Sequence, residues 1–174
     1  HCISSAASDV YKRQLQNVAK EPEIKDLAEF LNKMGAKIDG AGTDLIKITG
    51  VKKLQGAEFN IPADRIEAGT YLVAAVVTQG EILIENIDPS RLMQVIEKLK
   101  ETGACIEYDK NSISVFMRES IPKPVDITTA PFPNFPTDMQ AQFSVINAIS
   151  SGIAKVNETV FENRFMHVLS LIHI

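Results

Sequence analysis

Apolar positions along the chain switch between a helical and an alternating period. Ile24, Leu27, Ala28, Leu31 and Met34 fall three or four residues apart, which predicts one face of a helix. Pro22 suits its first turn, and Gly35 suits its stop. Residues 36–39 read as a short strand, Gly40 to Asp44 as a turn, and residues 45–49 as an alternating strand. Residues 58–61 read as a further strand. Asp64 opens a second helix with Ile66, Leu72, Val73, Val76 and Val77 as its apolar positions; Gly80 ends it, and residues 81–86 form a strand.

The pattern then returns. Asp88-Pro89 echoes Glu21-Pro22, and Leu92, Ile96 and Leu99 make another helical stripe. Gly103-Ala-Cys-Ile106 echoes Gly35-Ala-Lys-Ile38, residues 109–111 make a turn, and residues 112–116 a strand. Asp138 begins a helix as Asp64 does, with Met139, Phe143, Ile146 and Ile149 near one face, and Glu162-Asn163 echoes Glu85-Asn86. A βαβαββ-like unit of about 70 residues, appearing roughly twice, predicts an α/β (α+β) fold with helices packed on one side of the sheets. A Rossmann fold is not expected, because no Gly-x-Gly-x-x-Gly follows a strand.

Composition adds little to this picture. The 174 residues are 45% hydrophobic and 23% charged, an ordinary globular balance. A net charge of −4 gives no support to nucleic-acid binding. No apolar run is long enough to span a membrane. Cys2 and Cys105 have no metal-ligand spacing, and Cys105 is expected to be a buried small hydrophobe, so a reducing, cytoplasmic setting fits. Residues 1–14 and 169–174 lack continuity with their neighbours and read as adapter-like, non-native tails.

Candidate chemistry concentrates between Ala130 and His167. Pro131, Pro133 and Pro136 stiffen an extended approach to Thr137-Asp138, because each proline fixes its own φ and restricts its predecessor. An aspartate at a helix start commonly caps it; from a rigid loop it can also serve as a general base. Val160 and Phe161 read as a strand end packed in a core. Arg164 suits a phosphate or carboxylate, or a weak ion pair with Glu158 or Glu162. Glu21, Asp64 and Glu67 fall where helix dipoles favour acids. His167 has no partner motif, and Gly40-Ala-Gly42 is a hairpin turn, since no Lys-Ser/Thr and helix follow it.

The segments Phe135-Pro-Thr-Asp-Met-Gln-Ala-Gln-Phe143 and Glu158-Thr-Val-Phe-Glu-Asn-Arg-Phe-Met-His-Val168 resemble the bacterial UDP-N-acetylglucosamine 1-carboxyvinyltransferase family of enolpyruvyl transferases. Glu21-Pro-Glu-Ile24, the stretch from Leu31 through Gly40-Ala-Gly-Thr-Asp44, and Pro62-Ala-Asp-Arg-Ile-Glu-Ala-Gly-Thr70 extend the likeness, from about Gln16 to Val168. The resemblance implies two inside-out, barrel-like α/β domains, each of three repeated units. Residues 15–62 would close one domain, residues 63–168 would open the other, and a hinge would lie near Ile61-Pro62-Ala63. It further implies transfer of the enolpyruvyl group of phosphoenolpyruvate to the 3-hydroxyl of UDP-N-acetylglucosamine, with the domains closing around the sugar nucleotide. It implies no metal or organic cofactor, and no nucleic-acid or membrane partner.

In that family the aspartate matching Asp138 handles the proton of the reacting hydroxyl and marks the sugar-nucleotide site. Val160 would touch the UDP-sugar, largely through its backbone, and Arg164 would support the cleft. Glu21 and Asp64 would lie near it, as second-tier substrate contacts. The family's reactive cysteine loop, its N-terminal lysine and asparagine, and its C-terminal arginines have no counterpart here, so the expectation is a central fragment, inactive without the missing parts of its own chain. The rival expectations are a sister transferase acting on shikimate 3-phosphate and a non-catalytic binding domain with the same repeats.

Overall fold

A computed structural model describes residues 11–118 and 121–173. The expectations for residues 1–10, which include Cys2, and for residue 174 lie outside the described residues. The chain divides into two compact units between Pro62 and Ala63.

In the first unit, β1 (Lys12–Gln16), α1 (Pro22–Lys33), β2 (Lys37–Asp39) and β3 (Leu45–Thr49) form one sheet in the order β1-β3-β2, with both pairings antiparallel. Pro22 does open α1, and Gly35 stops it at φ +100°. The turn into β3 needs glycine at position 40: φ there is +81°, and a Cβ would lie 2.2 Å from the carbonyl oxygen of Leu45.

Three features of this unit correct the sequence reading. Lys12, Arg13 and Gln14, set aside as part of a tail, pair with Thr49, Ile48 and Lys47 of β3. Their side chains are exposed, so no apolar alternation marks them as a strand, although their backbone pairs with β3. Residues 58–61 are not a strand: Phe59 instead packs on Phe30, with ring centroids 5.1 Å apart, and Lys33 lies over the Phe59 ring. Leu27, in the apolar stripe of α1, is 45% exposed, whereas Ala28 is buried.

The second unit holds most of the core. The segments β4 (Glu81–Glu85), α3 (Met93–Glu101), β5 (Cys105–Tyr108) and β6 (Ser112–Phe116) form a sheet in the order β4-β6-β5, again antiparallel throughout. Ile82 and Ile106 face Val115 across β6, and Ile84 faces Ile113, so the period of two delivers one apolar row to the core. Cys105 pairs with Phe116 in the other row and is only half-buried, a correction of the buried-hydrophobe reading: register places it on the opposite side of the sheet from Ile106.

Against that core lies α2 (Arg65–Val77), buried at Leu72, Val73 and Val76, and α4 (Gln140–Ile149), buried at Phe143 and Ile146. At Gly69, α2 comes close to the residue just ahead of α4, where a Cβ would meet the Met139 sulfur at 3.0 Å. The Gln142 side chain donates to the Thr70 hydroxyl at 2.9 Å. Ile149, expected on the buried face of α4, is exposed at the helix's final residue, although Ile146 in the same turn is fully buried. The stop of α2 also differs from expectation. Gln79 takes the left-handed conformation (φ 56°), and the Gly80 amide caps the Ala75 carbonyl.

Asp64 caps α2, its Oδ1 accepting from the Ile66 and Glu67 amides at 2.8 and 3.2 Å. Asp64→Ala is expected to destabilise the second unit by about 1 kcal/mol, in the usual range for a lost cap, read as a lower urea midpoint with an unchanged slope.

A third ladder carries the candidate chemistry. Strand β7 (Ile127–Thr128) runs parallel to β8 (Val156–Asn157), and the connection between them passes through the proline-rich loop and α4. The Asn147 side chain fastens α4 to both the amide and the carbonyl of Val125, each at 3.0 Å. Beyond β8 the chain turns into α5 (Met166–His173), which continues across residue 169, where the sequence pattern places the start of a tail. Asn86 and Asn163, paired in the sequence echo, both adopt left-handed φ (61° and 59°), a conformation that asparagine tolerates.

Candidate functional site

Parallel strands joined by a crossover helix end at the same side of their sheet, and the loops leaving their carboxyl ends form a natural crevice. Here the loop leaving β7 leads to Asp138, and the loop leaving β8 contains Val160 and Arg164. The topology therefore brings together residues more than twenty positions apart.

Asp138 lies in a 3-10 turn, Thr137–Met139, ahead of α4. It does not cap: no side chain caps either that turn or α4. Its carboxylate instead accepts from the Arg164 guanidinium, Nη2 to Oδ1, at 2.9 Å. The pair is open to solvent, with side chains 55% and 38% exposed. Arg164 also lies over the Phe161 ring, 5.3 Å from its centroid, so the guanidinium is held on two sides. The expected ion pair of Arg164 with Glu158 or Glu162 is thus replaced by one with Asp138.

Val160 and Phe161 do not pack in a core. They are 37% and 54% exposed, because β8 ends at Asn157 and the chain turns outward. Glu158 holds that turn. Its Oε1 accepts from the Val160 amide at 2.9 Å, the Phe161 amide at 3.1 Å and the Thr129 hydroxyl at 2.8 Å; its Oε2 accepts from the Thr137 hydroxyl at 2.9 Å. Thr159 closes the same knot, its amide donating to the Thr129 hydroxyl at 3.0 Å.

Burial raises the Glu158 pKa, but the four hydrogen bonds, from Thr129, the Val160 and Phe161 amides and Thr137, outweigh it and hold the carboxyl below its ordinary 4.5. A depressed folded pKa contributes stability that is fully present above 4.5 and lost as pH falls through the folded value. In a pH titration followed by NMR, the Val160 and Phe161 amide shifts are expected to move together with a midpoint below 4.5. Glu158→Gln should abolish that transition; a midpoint at or above 4.5 would contradict the assigned cause.

The other sequence candidates are more dispersed. Glu21, in the first unit, occupies the N-cap position of α1 without a capping hydrogen bond, and its Oε2 is shielded from solvent with no partner among the described residues. The Asp64 carboxylate is occupied by its own helix. Arg65 is buried, and its guanidinium lies 5.8 Å from the centre of the Phe132 ring in the proline-rich loop. A recess of about 130 Å³ beside that ring is lined by Arg65, Arg91 and Asn134, but by none of Asp138, Val160 and Arg164. It is too small for a nucleotide-sized ligand. His167 is half-buried in α5. Among the described residues no group of three His, Cys, Asp or Glu side chains could hold a metal ion, and no helix is long and apolar enough to cross a membrane.

Glu158 and its two threonines are the part of this cluster that the sequence reading did not assign. The acid's reach to the amides two and three residues ahead is a local signal. Its partners Thr129 and Thr137, 29 and 21 residues away, carry none.

The chain is similar to known proteins in sequence and in fold. The family model described as EPSP synthase (3-phosphoshikimate 1-carboxyvinyltransferase) matches residues 2–174. A UDP-N-acetylglucosamine 1-carboxyvinyltransferase of Histophilus somni is 54% identical over 158 residues, 91% of this chain and 37% of the relative. One of Coxiella burnetii is 54% identical over 157 residues, 90% of this chain and 36% of the relative. The chain thus spans little more than a third of the length of these curated relatives. Among solved structures, the enolpyruvyl transferase NikO from Streptomyces tendae superposes with a TM-score of 0.78 at 21% identity, over 95% of this chain and 40% of that one, which is a likeness of fold.

Proposed function

The chain belongs to the EPSP synthase (3-phosphoshikimate 1-carboxyvinyltransferase) family, and from that premise we propose that it is part of a cytoplasmic UDP-N-acetylglucosamine 1-carboxyvinyltransferase of peptidoglycan precursor synthesis. The observation that carries the reading is the Asp138 carboxylate, left free of capping, open to solvent and braced by Arg164. The names of the relatives at 54% identity direct the choice of a UDP-sugar as acceptor.

In the proposed reaction the 3-hydroxyl oxygen of the sugar bonds to C2 of phosphoenolpyruvate, and C3 takes a proton from a general acid on the remaining parts of the longer chain. Phosphate then leaves C2 with its bonding pair, C3 gives the proton back, and the enol ether remains. Asp138 accepts the proton of the attacking hydroxyl, as a general base held in place by its loop. Arg164 keeps the carboxylate oriented and adds positive charge beside anionic substrates. Val160 offers backbone and an exposed side chain to the sugar nucleotide, and Glu21 and Asp64 serve as outlying contacts. The repeats belong to inside-out, barrel-like domains that divide after Pro62, and the remaining catalytic groups lie on parts of a longer chain. No cofactor takes part.

A second reading has the description of the matching family model in its favour: shikimate 3-phosphate as acceptor. The test measures phosphate release from phosphoenolpyruvate by the longer protein that carries this chain, with each acceptor in parallel. Release that depends on UDP-N-acetylglucosamine is the expected result. Release only with shikimate 3-phosphate would move the protein to the sister reaction. None with either, from folded protein, would leave a binding domain.

A further inference from the structure

We propose that Glu158 is a positioning residue that sets Asp138 against the Val160 turn, and that its link to Asp138 runs through the hydroxyl of Thr137. The inference rests on the catalytic reading above and adds two residues to it.

The geometry divides the work between the two carboxylate oxygens. Oε1 gathers the Val160 and Phe161 amides and the Thr129 hydroxyl, which fixes the turn leaving β8 to the end of β7. Among the described residues Oε2 takes only the Thr137 hydroxyl, at 2.9 Å, and Thr137 is the residue before Asp138. One acceptor-only side chain therefore joins both strand-end loops. The Asp138–Arg164 pair joins the same two loops at the surface. That pair is exposed, and exposed pairs hold geometry weakly. Glu158 is half-buried and accepts four hydrogen bonds from both loops, against the one at 2.9 Å between Arg164 and Asp138. The short ladder of β7 and β8 covers two residue pairs, so backbone pairing alone gives the loops little rigidity.

The two oxygens predict separable kinetic effects, which a residue important only for folding would not produce. Thr137→Val keeps the side-chain shape and cuts the Oε2 link alone. In the longer protein that carries this chain it is expected to lower kcat roughly 10- to 100-fold, the cost of a misplaced reacting group, with KM for UDP-N-acetylglucosamine changed by less than about threefold. Thr137→Ser, which restores the hydroxyl, should recover most of that loss. Glu158→Ala cuts both links and should lower kcat and raise that KM together, by about tenfold in KM.

Folded Thr137→Val protein with kcat within twofold of the parent would overturn the positioning role, even if Glu158→Ala fails to fold. A parent protein without UDP-sugar-dependent phosphate release would instead overturn the catalytic reading, and this inference with it.

Discussion

Asp138→Asn is expected to lower UDP-N-acetylglucosamine-dependent phosphate release by about 10²- to 10⁴-fold, the range for losing a positioned acid–base group. The substitution keeps the shape and the hydrogen-bond acceptor that faces Arg164, and removes the charge and the basic oxygen. It is expected to leave the fold intact. The Asp138–Arg164 pair is exposed on both sides, and such pairs contribute about 0–1 kcal/mol. Nor does the side chain cap α4, so no helix end is lost. Steady-state rates, alongside circular dichroism and thermal melts of the same samples, separate the two effects. A rate within tenfold of the parent would remove Asp138 from the chemistry. A lost rate with a collapsed melting curve would make it structural.

Phe143→Ala is expected to have the largest effect on stability. Phe143 is fully buried, and its ring meets Phe135 edge-on, with centroids 4.9 Å apart. Removing it deletes a large apolar payload and leaves a cavity between α4 and the proline-rich loop, at a cost of about 3–5 kcal/mol. Against a typical total of about 5–15 kcal/mol, that loss is severe. Amide hydrogen exchange in β6, at Ile113 and Val115, reads it directly, because those strand residues are buried in the same core. Ile149→Ala is the contrasting change: Ile149 is exposed at the end of the same helix, and its loss should cost less than about 0.5 kcal/mol. Equal effects at the two positions would mean that α4 is not packed as described.

The two helical ends flanking this region show how far local sequence reaches. Asp64 and Asp138 look alike along the chain, each an acid at a helix start. Asp64 caps, because its own backbone is extended and the Ile66 and Glu67 amides lie within reach. Asp138 sits two residues past the Pro136 cap position, inside a 3-10 turn, and its side chain meets Arg164 instead of a helix amide. The same residue type in the same apparent context took different roles: one serves its own helix, and the other pairs with a residue 26 positions away.

Local chemistry alone determined a good deal. The period of 3.6 placed α1 and α2, the period of two placed β3 and β6, and Gly40 marked its turn, since each depends on contacts within a few residues. Local patterning failed where a paired strand carries exposed polar side chains, as at Lys12 to Gln14 of β1, or where an extended segment packed without a ladder, as at Phe59. The pairing of Asp138 with Arg164, and the grip of Glu158 on Thr129 and Thr137, were decided only by tertiary structure. The parallel ladder of β7 and β8 brings those groups within 3 Å of one another only after the chain between them has crossed over through α4. No short-range period encodes a contact of that kind.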